Sequence, residues 1–118
     1  MELVHHKWME RSSNDTQRIV GQPLVSIICF CRNRADTIRR CIDSVLTQTY
    51  ANIEFVVQDG ASTDGTLQIL QSCDDPRIKL VSEPDSGPAE AFWRAMSRCE
   101  GDIIGIDFGC VIDRFYGD

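Results

Sequence analysis

Apolar residues run almost unbroken from Leu24 to Cys31, stop at Arg32-Asn33-Arg34-Ala35-Asp36, and recur at Ile38, Cys41, Ile42, Val45 and Leu46. A continuous run of this kind predicts a strand buried on both faces. The i, i+3, i+4, i+7, i+8 spacing after it predicts a helix that lays one stripe on a sheet, with Asp36 placed to cap its start. The alternation of strand and helix then repeats. Ile53 to Gln58 predicts a second strand, and Leu67, Leu70 and Cys73 the next helix, which Asp74-Asp75-Pro76 stops. Ile78 to Ser82 predicts a third strand. Gly87, Pro88 and Glu90 form a strong helix start ahead of the stripe Phe92, Ala95, Met96 and Cys99. Gly101 ends that helix, and Ile103 to Ile106 predicts a fourth strand.

Connections of helix length between successive strands call for parallel pairing. The expected fold is therefore α/β: a Rossmann-like open parallel sheet of about four strands with flanking helices, in the order 3-2-1-4. Residues 1–22 are polar and without clear period, and are expected to form a tail or a loose first helix. The ordered domain is expected over residues 23–118.

Composition narrows the function classes. A net charge of −6 argues against nucleic acid, since a phosphate-tracking surface needs an excess of Lys and Arg. No apolar run reaches the roughly 20 residues of a membrane-spanning helix, and the first residues carry no signal-peptide core. A cytoplasmic location is the resulting expectation. Of the six cysteines, Cys29, Cys31, Cys41, Cys73 and Cys99 continue apolar patterns, so they are expected as buried, reduced thiols.

The segment Asp59-Gly60-Ala61-Ser62-Thr63-Asp64-Gly65-Thr66 follows the second strand directly. Open α/β sheets bind ligands just outside the carboxyl ends of their strands, so this segment marks where a site belongs. Asp59 suits the imide N–H of a uracil or the hydroxyls of a ribose, and equally suits a turn whose own amides it accepts. Arg32 and Arg34, after the first strand, suit a diphosphate or the face of a base, or simply a solvated surface. Ser62, Thr63 and Asp64 read as helix caps. Asp85, with Glu83, lies on the loop after the third strand, where it faces the same crevice or only water. The chain has no Gly-x-Gly-x-x-Gly run and no Gly-Lys-Ser/Thr loop, which counts against dinucleotide and P-loop chemistry.

With these elements placed, the chain resembles family-2 glycosyltransferases of the GT-A fold. The resemblance is carried in order by Val25-Ser26-Ile27-Ile28, Asn33-Arg34-Ala35-Asp36-Thr37-Ile38, Ser44-Val45-Leu46-Thr47-Gln48-Thr49-Tyr50, Asn52-Ile53-Glu54, the Asp59 to Thr66 segment, Ser82-Glu83-Pro84-Asp85-Ser86-Gly87 and Gly101-Asp102-Ile103-Ile104-Gly105. It implies a nucleotide-diphospho-sugar donor, a UDP-sugar foremost, and Mg²⁺ or Mn²⁺ at the diphosphate. It also implies inverting transfer of the sugar to a saccharide, lipid or protein acceptor. Under it Asp59 stands at the nucleoside, Asp85 in the loop before the third helix, and Asp107 where the metal is held. Arg32 replaces the family's usual aromatic, Trp93 replaces its usual Asn, and Ile106 to Asp113 contains no closely paired carboxylates. The resemblance implies the nucleotide-sugar-binding half of such an enzyme, truncated and without its acceptor half. The alternative expectation is a non-catalytic module that self-associates through an exposed fourth-strand edge and the apolar tail Phe108, Cys110, Val111, Ile112, Phe115 and Tyr116.

Overall fold

The computed structural model describes residues 6–10, as backbone only, and residues 22–107. Its elements in chain order are β1 (His6–Glu10), β2 (Val25–Cys31), α1 (Ile38–Leu46), β3 (Ile53–Asp59), α2 (Thr66–Gln71), β4 (Ile78–Ser82), α3 (Pro88–Arg98) and β5 (Ile103–Asp107). They build one five-stranded sheet in the order β1-β5-β2-β3-β4. Strands β5, β2, β3 and β4 pair in parallel. Counted among themselves, these four strands stand in the expected order 3-2-1-4.

The two sheet faces are filled by alternate residues of the same strands. On one face Val25, Ile27, Cys29 and Cys31 of β2 and Ile53, Phe55 and Val57 of β3 pack against Ile38, Cys41, Ile42 and Val45 of α1 and Leu70 of α2. On the other, Ile28, Phe30, Val56 and Ile104 meet Ala91 and Ala95 of α3 and Cys99 just after it. Both central strands, β2 and β3, are buried at every position, which is why each reads as an unbroken apolar run. Gly87 caps α3 and Pro88 opens it, while Glu90 Oε1 accepts the Ser86 N–H at 2.7 Å. The helix start is therefore built from the residues that announce it. Helix α1 begins one residue later than expected, with Thr37 at its N-cap, and Asp36 makes no cap there. Cys29, Cys31, Cys41, Cys73 and Cys99 are reduced cysteines, all but Cys73 buried.

The first segment differs from expectation. His6–Glu10, within the stretch expected as a tail or loose helix, is a strand antiparallel to β5, in register from His6 opposite Asp107 to Glu10 opposite Ile103. A strand edge offers unpaired N–H and C=O groups, and they recruit a partner whatever that partner's own periodicity. The open edge on which the expectation of self-association rested is therefore covered by the chain itself. The apolar tail invoked with it lies outside the described residues. Among the described residues no helix is long and apolar enough to cross a membrane.

Candidate functional site

The chain leaves β2 toward β3 through α1 on one face and reaches β5 from β4 through α3 on the other. The strand order therefore reverses between β2 and β5, and the crevice of an open α/β sheet lies outside the carboxyl ends at that point. Every residue singled out from the sequence falls on this carboxyl edge. Arg32 and Arg34 follow β2, Asp59 ends β3, Asp85 follows β4 and Asp107 ends β5.

Their surroundings differ sharply. Asp59 is fully buried. Its Oδ2 accepts the Ser62 N–H at 2.9 Å and the Ser82 hydroxyl at 2.8 Å. Its Oδ1 accepts the Ser62 hydroxyl and, at 3.7 Å, the Cys31 thiol. Cys31 and Ser82 are the register partners of Asp59 on β2 and β4, so the three side chains form one row across the sheet. Of the two roles the sequence left open for Asp59, the turn-forming one is what these bonds describe. They extend it to a tie between three strand ends.

The loop after β2 is stitched to the loop after β3. Asn33 takes a left-handed conformation, φ 54°, which Asn tolerates better than most residues. That turn points its N–H at Ser62 Oγ, 2.8 Å away, and its Oδ1 at the Thr63 N–H, 2.7 Å away. The Arg34 N–H donates to Thr66 Oγ1 at 2.7 Å and the Ala35 N–H to Asp64 Oδ2 at 3.1 Å. Thr66 Oγ1 donates in turn to Asp64 Oδ1 at 2.6 Å. Burial works against the charge on Asp64, but the hydrogen bonds from Thr66 and Ala35 outweigh it and hold the carboxyl below its ordinary range. Ser62 and Thr63, read from the sequence as helix caps, act here as cross-loop ties, and Asp64 does both, since its Oδ1 also accepts the N–H of Thr66, the first residue of α2, at 3.0 Å. The residue at the N-cap of α2 is Gly65, at φ 109°.

Arg32 is exposed, whereas Cys31 before it and Arg34 after it are buried. Arg34 Nη1 donates to the carbonyl of Asn33 at 3.2 Å. Asp85 is half-buried, and its Oδ1 accepts the Gly87 N–H at 3.0 Å, which shapes the turn into α3. Glu83 accepts from Gln58 Nε2 at 2.7 Å and pairs with Arg94 at 3.3 Å. Trp93 points outward from α3, 66% exposed.

Asp107 is 3% exposed. It offers one hard oxygen donor of the kind Mg²⁺ or Mn²⁺ takes. Among the described residues no three His, Cys, Asp or Glu side chains converge on a point. Asp107 by itself is one ligand and not a ligand set. The stretch after it, with Asp113, lies outside the described residues.

Asn33, Thr66, Ser82 and Cys31 are the rim residues that sequence reasoning missed. Asn33 carried a readable signal, an Asn in the breaker right after a buried strand. Ser82 and Cys31 carried none, because only the register sets them beside Asp59.

Comparison with known proteins agrees with this architecture. Residues 26–106 match the family model of glycosyl transferase family 2. The chain is 39% identical over 104 residues to the chondroitin synthase of Pasteurella multocida (strain Pm70), covering 86% of this chain and 10% of that protein. It is 39% identical over 106 residues to the chondroitin synthase of Escherichia coli, covering 88% of this chain and 16% of that protein. Among solved structures it resembles the mannosyltransferase PcManGT from Pyrobaculum calidifontis in complex with GDP-Man and Mn²⁺. The TM-score is 0.65 at 32% identity, over 72% of this chain and 27% of that one. The chain thus spans well under a third of each of these three proteins. The parallel sheet, its strand order and these matches together place the chain in glycosyl transferase family 2, with the GT-A fold.

Proposed function

We propose that the carboxyl-edge rim binds a nucleotide-diphospho-sugar, a UDP-sugar foremost, as donor for transfer to a saccharide, lipid or protein acceptor. The observation that carries this reading is the cross-tied pair of loops after β2 and β3, the first of them bordering the switch point, with Arg32 exposed between buried Cys31 and half-buried Asn33. An exposed guanidinium on a rigid rim suits a diphosphate, which it can grip through two parallel N–H bonds, or the face of a base.

Arg32 is assigned the direct contact with the diphosphate or base, and Arg34 supports it from beneath the loop. Asp85 lines the donor site from the β4 side. Asp59 serves the nucleoside end through the loop it holds. A divalent ion, Mg²⁺ or Mn²⁺, belongs to the same reading, with Asp107 as one carboxylate contact. When bound, such an ion neutralises charge at the diphosphate. The neighbour solved with GDP-Man and Mn²⁺ supports both the donor class and the ion.

Calorimetric titration with UDP, GDP and their sugars, with and without Mn²⁺, tests the proposal. The expected result is binding of UDP and UDP-sugars that strengthens with Mn²⁺. Arg32→Ala is expected to weaken it about tenfold, the scale of one charge-assisted hydrogen bond, without moving the melting temperature. A folded protein that binds no nucleotide overturns the reading.

A further inference from the structure

We infer that Asn33 is a positioning residue for the donor, acting through its neighbour Arg32; this rests on the donor-binding reading above. Two bonds run from the backbone and side chain of Asn33 to the loop after β3. Its N–H meets Ser62 Oγ at 2.8 Å and its Oδ1 meets the Thr63 N–H at 2.7 Å. Ser62 passes the tie inward, since its hydroxyl donates to Asp59 Oδ1 and its N–H to Asp59 Oδ2. Asp59 in turn is held from β4 by Ser82. The peptide on which Arg32 stands is therefore braced, through Asn33, against a fully buried carboxylate joined to three parallel strands.

The conformation of Asn33 is part of the device. At φ 54° the chain reverses locally just after β2. Of the residues that tolerate this region, Asn and Asp also carry an acceptor able to reach a neighbouring amide, whereas Gly does not. Without that acceptor the exposed guanidinium stays on the rim but is aimed by a looser loop. Looseness of an ångström at a contact group is enough to cost affinity.

Three variants separate positioning from mere stability. Asn33→Gly keeps the backbone conformation and removes the amide, Asn33→Asp keeps an acceptor for the Thr63 N–H, and Arg32→Ala removes the group being aimed. UDP with Mn²⁺ is the probe, titrated well below the melting temperature of every variant, with hydrogen exchange at the Thr63 amide as a second reading. Asn33→Gly is expected to weaken UDP binding about tenfold and speed exchange at Thr63, and Asn33→Asp to restore both. In the Arg32→Ala background, Asn33→Gly is expected to cause almost no further loss, because the two act through one contact. Equal UDP affinity of wild type and Asn33→Gly overturns the inference while leaving the donor site standing, as do additive losses in the double variant. A wild-type protein that binds no UDP overturns the donor site and this inference together.

Discussion

The Ser82 hydroxyl donates to Asp59 Oδ2 at 2.8 Å, joining the carboxyl end of β4 to that of β3. Because Cys31 reaches the same carboxylate from β2, one buried side chain gathers three strands at the carboxyl edge of the sheet. Asp59→Ala removes the acceptor of the half-buried Ser62 N–H and hydroxyl, while the exposed Ser82 hydroxyl can turn to water. A loss of about 1 kcal/mol is expected, read as a lower urea midpoint at unchanged slope. A midpoint equal to wild type contradicts the role assigned to it.

Ala61 sits in the same turn with φ 58°, a conformation that costs a residue with a Cβ about 1 kcal/mol. Ala61→Gly relieves that strain and gives back part of the gain through a freer unfolded chain. The expected net is a stabilisation of about 0.5 kcal/mol, with Ala61→Val destabilising instead. Thermal melts of the two variants check the order.

Gly101 is required by close approach. A Cβ there would lie 2.5 Å from Ser26 Oγ, 2.7 Å from Ser26 N and 2.8 Å from Leu24 O. Its N–H also donates to Ser26 Oγ at 2.8 Å. Two of the three obstructing atoms are backbone, so Gly101→Ala must shift β2 against β5. A cost of about 2–3 kcal/mol in equilibrium unfolding is expected, and a cost near zero contradicts it.

Glu54 supplies a pH dependence. Burial pushes its carboxyl up, but the Lys79 ammonium, the Ser26 hydroxyl and the Glu100 N–H together outweigh burial and hold it below the ordinary value. The folded protein thus binds fewer protons at this group than the unfolded chain does. Its contribution is fully present above the unfolded value of about 4.3 and is lost as pH falls through the lower folded value. The Lys79 side chain is 40% exposed, so solvent screening limits Lys79→Met to a cost of about 1 kcal/mol at neutral pH. That cost is expected to shrink as pH falls through the acid limb. Urea unfolding from pH 3 to 7 measures both, and a pH-independent difference between wild type and variant refutes the assignment.

Much of the architecture could be read without coordinates. The apolar runs of β2 and β3, the stripe of α1 and the Gly87-Pro88-Glu90 start of α3 each announced themselves, because burial on a regular element leaves a period in the chain. The same logic set the candidate residues on one edge, since each of them from Arg32 to Asp107 falls at a strand end or in the loop after one. The short strand β1 escaped, as five residues whose pairing comes from an edge nearly a hundred positions away leave no local mark.

Periodicity and turn chemistry alone determined the alternation of strands and helices, their parallel pairing and the edge on which the candidate residues fall. Only the tertiary structure decided that Asp59 would turn inward to Ser62, Ser82 and Cys31, that Arg34 would be buried while Arg32 stayed exposed, and that β1 would pair along the edge of β5. The physical reason is range. A helix stripe or buried run is set by neighbours within a turn or two, whereas a buried carboxylate takes whichever donors the register of distant strands brings within about 3 Å.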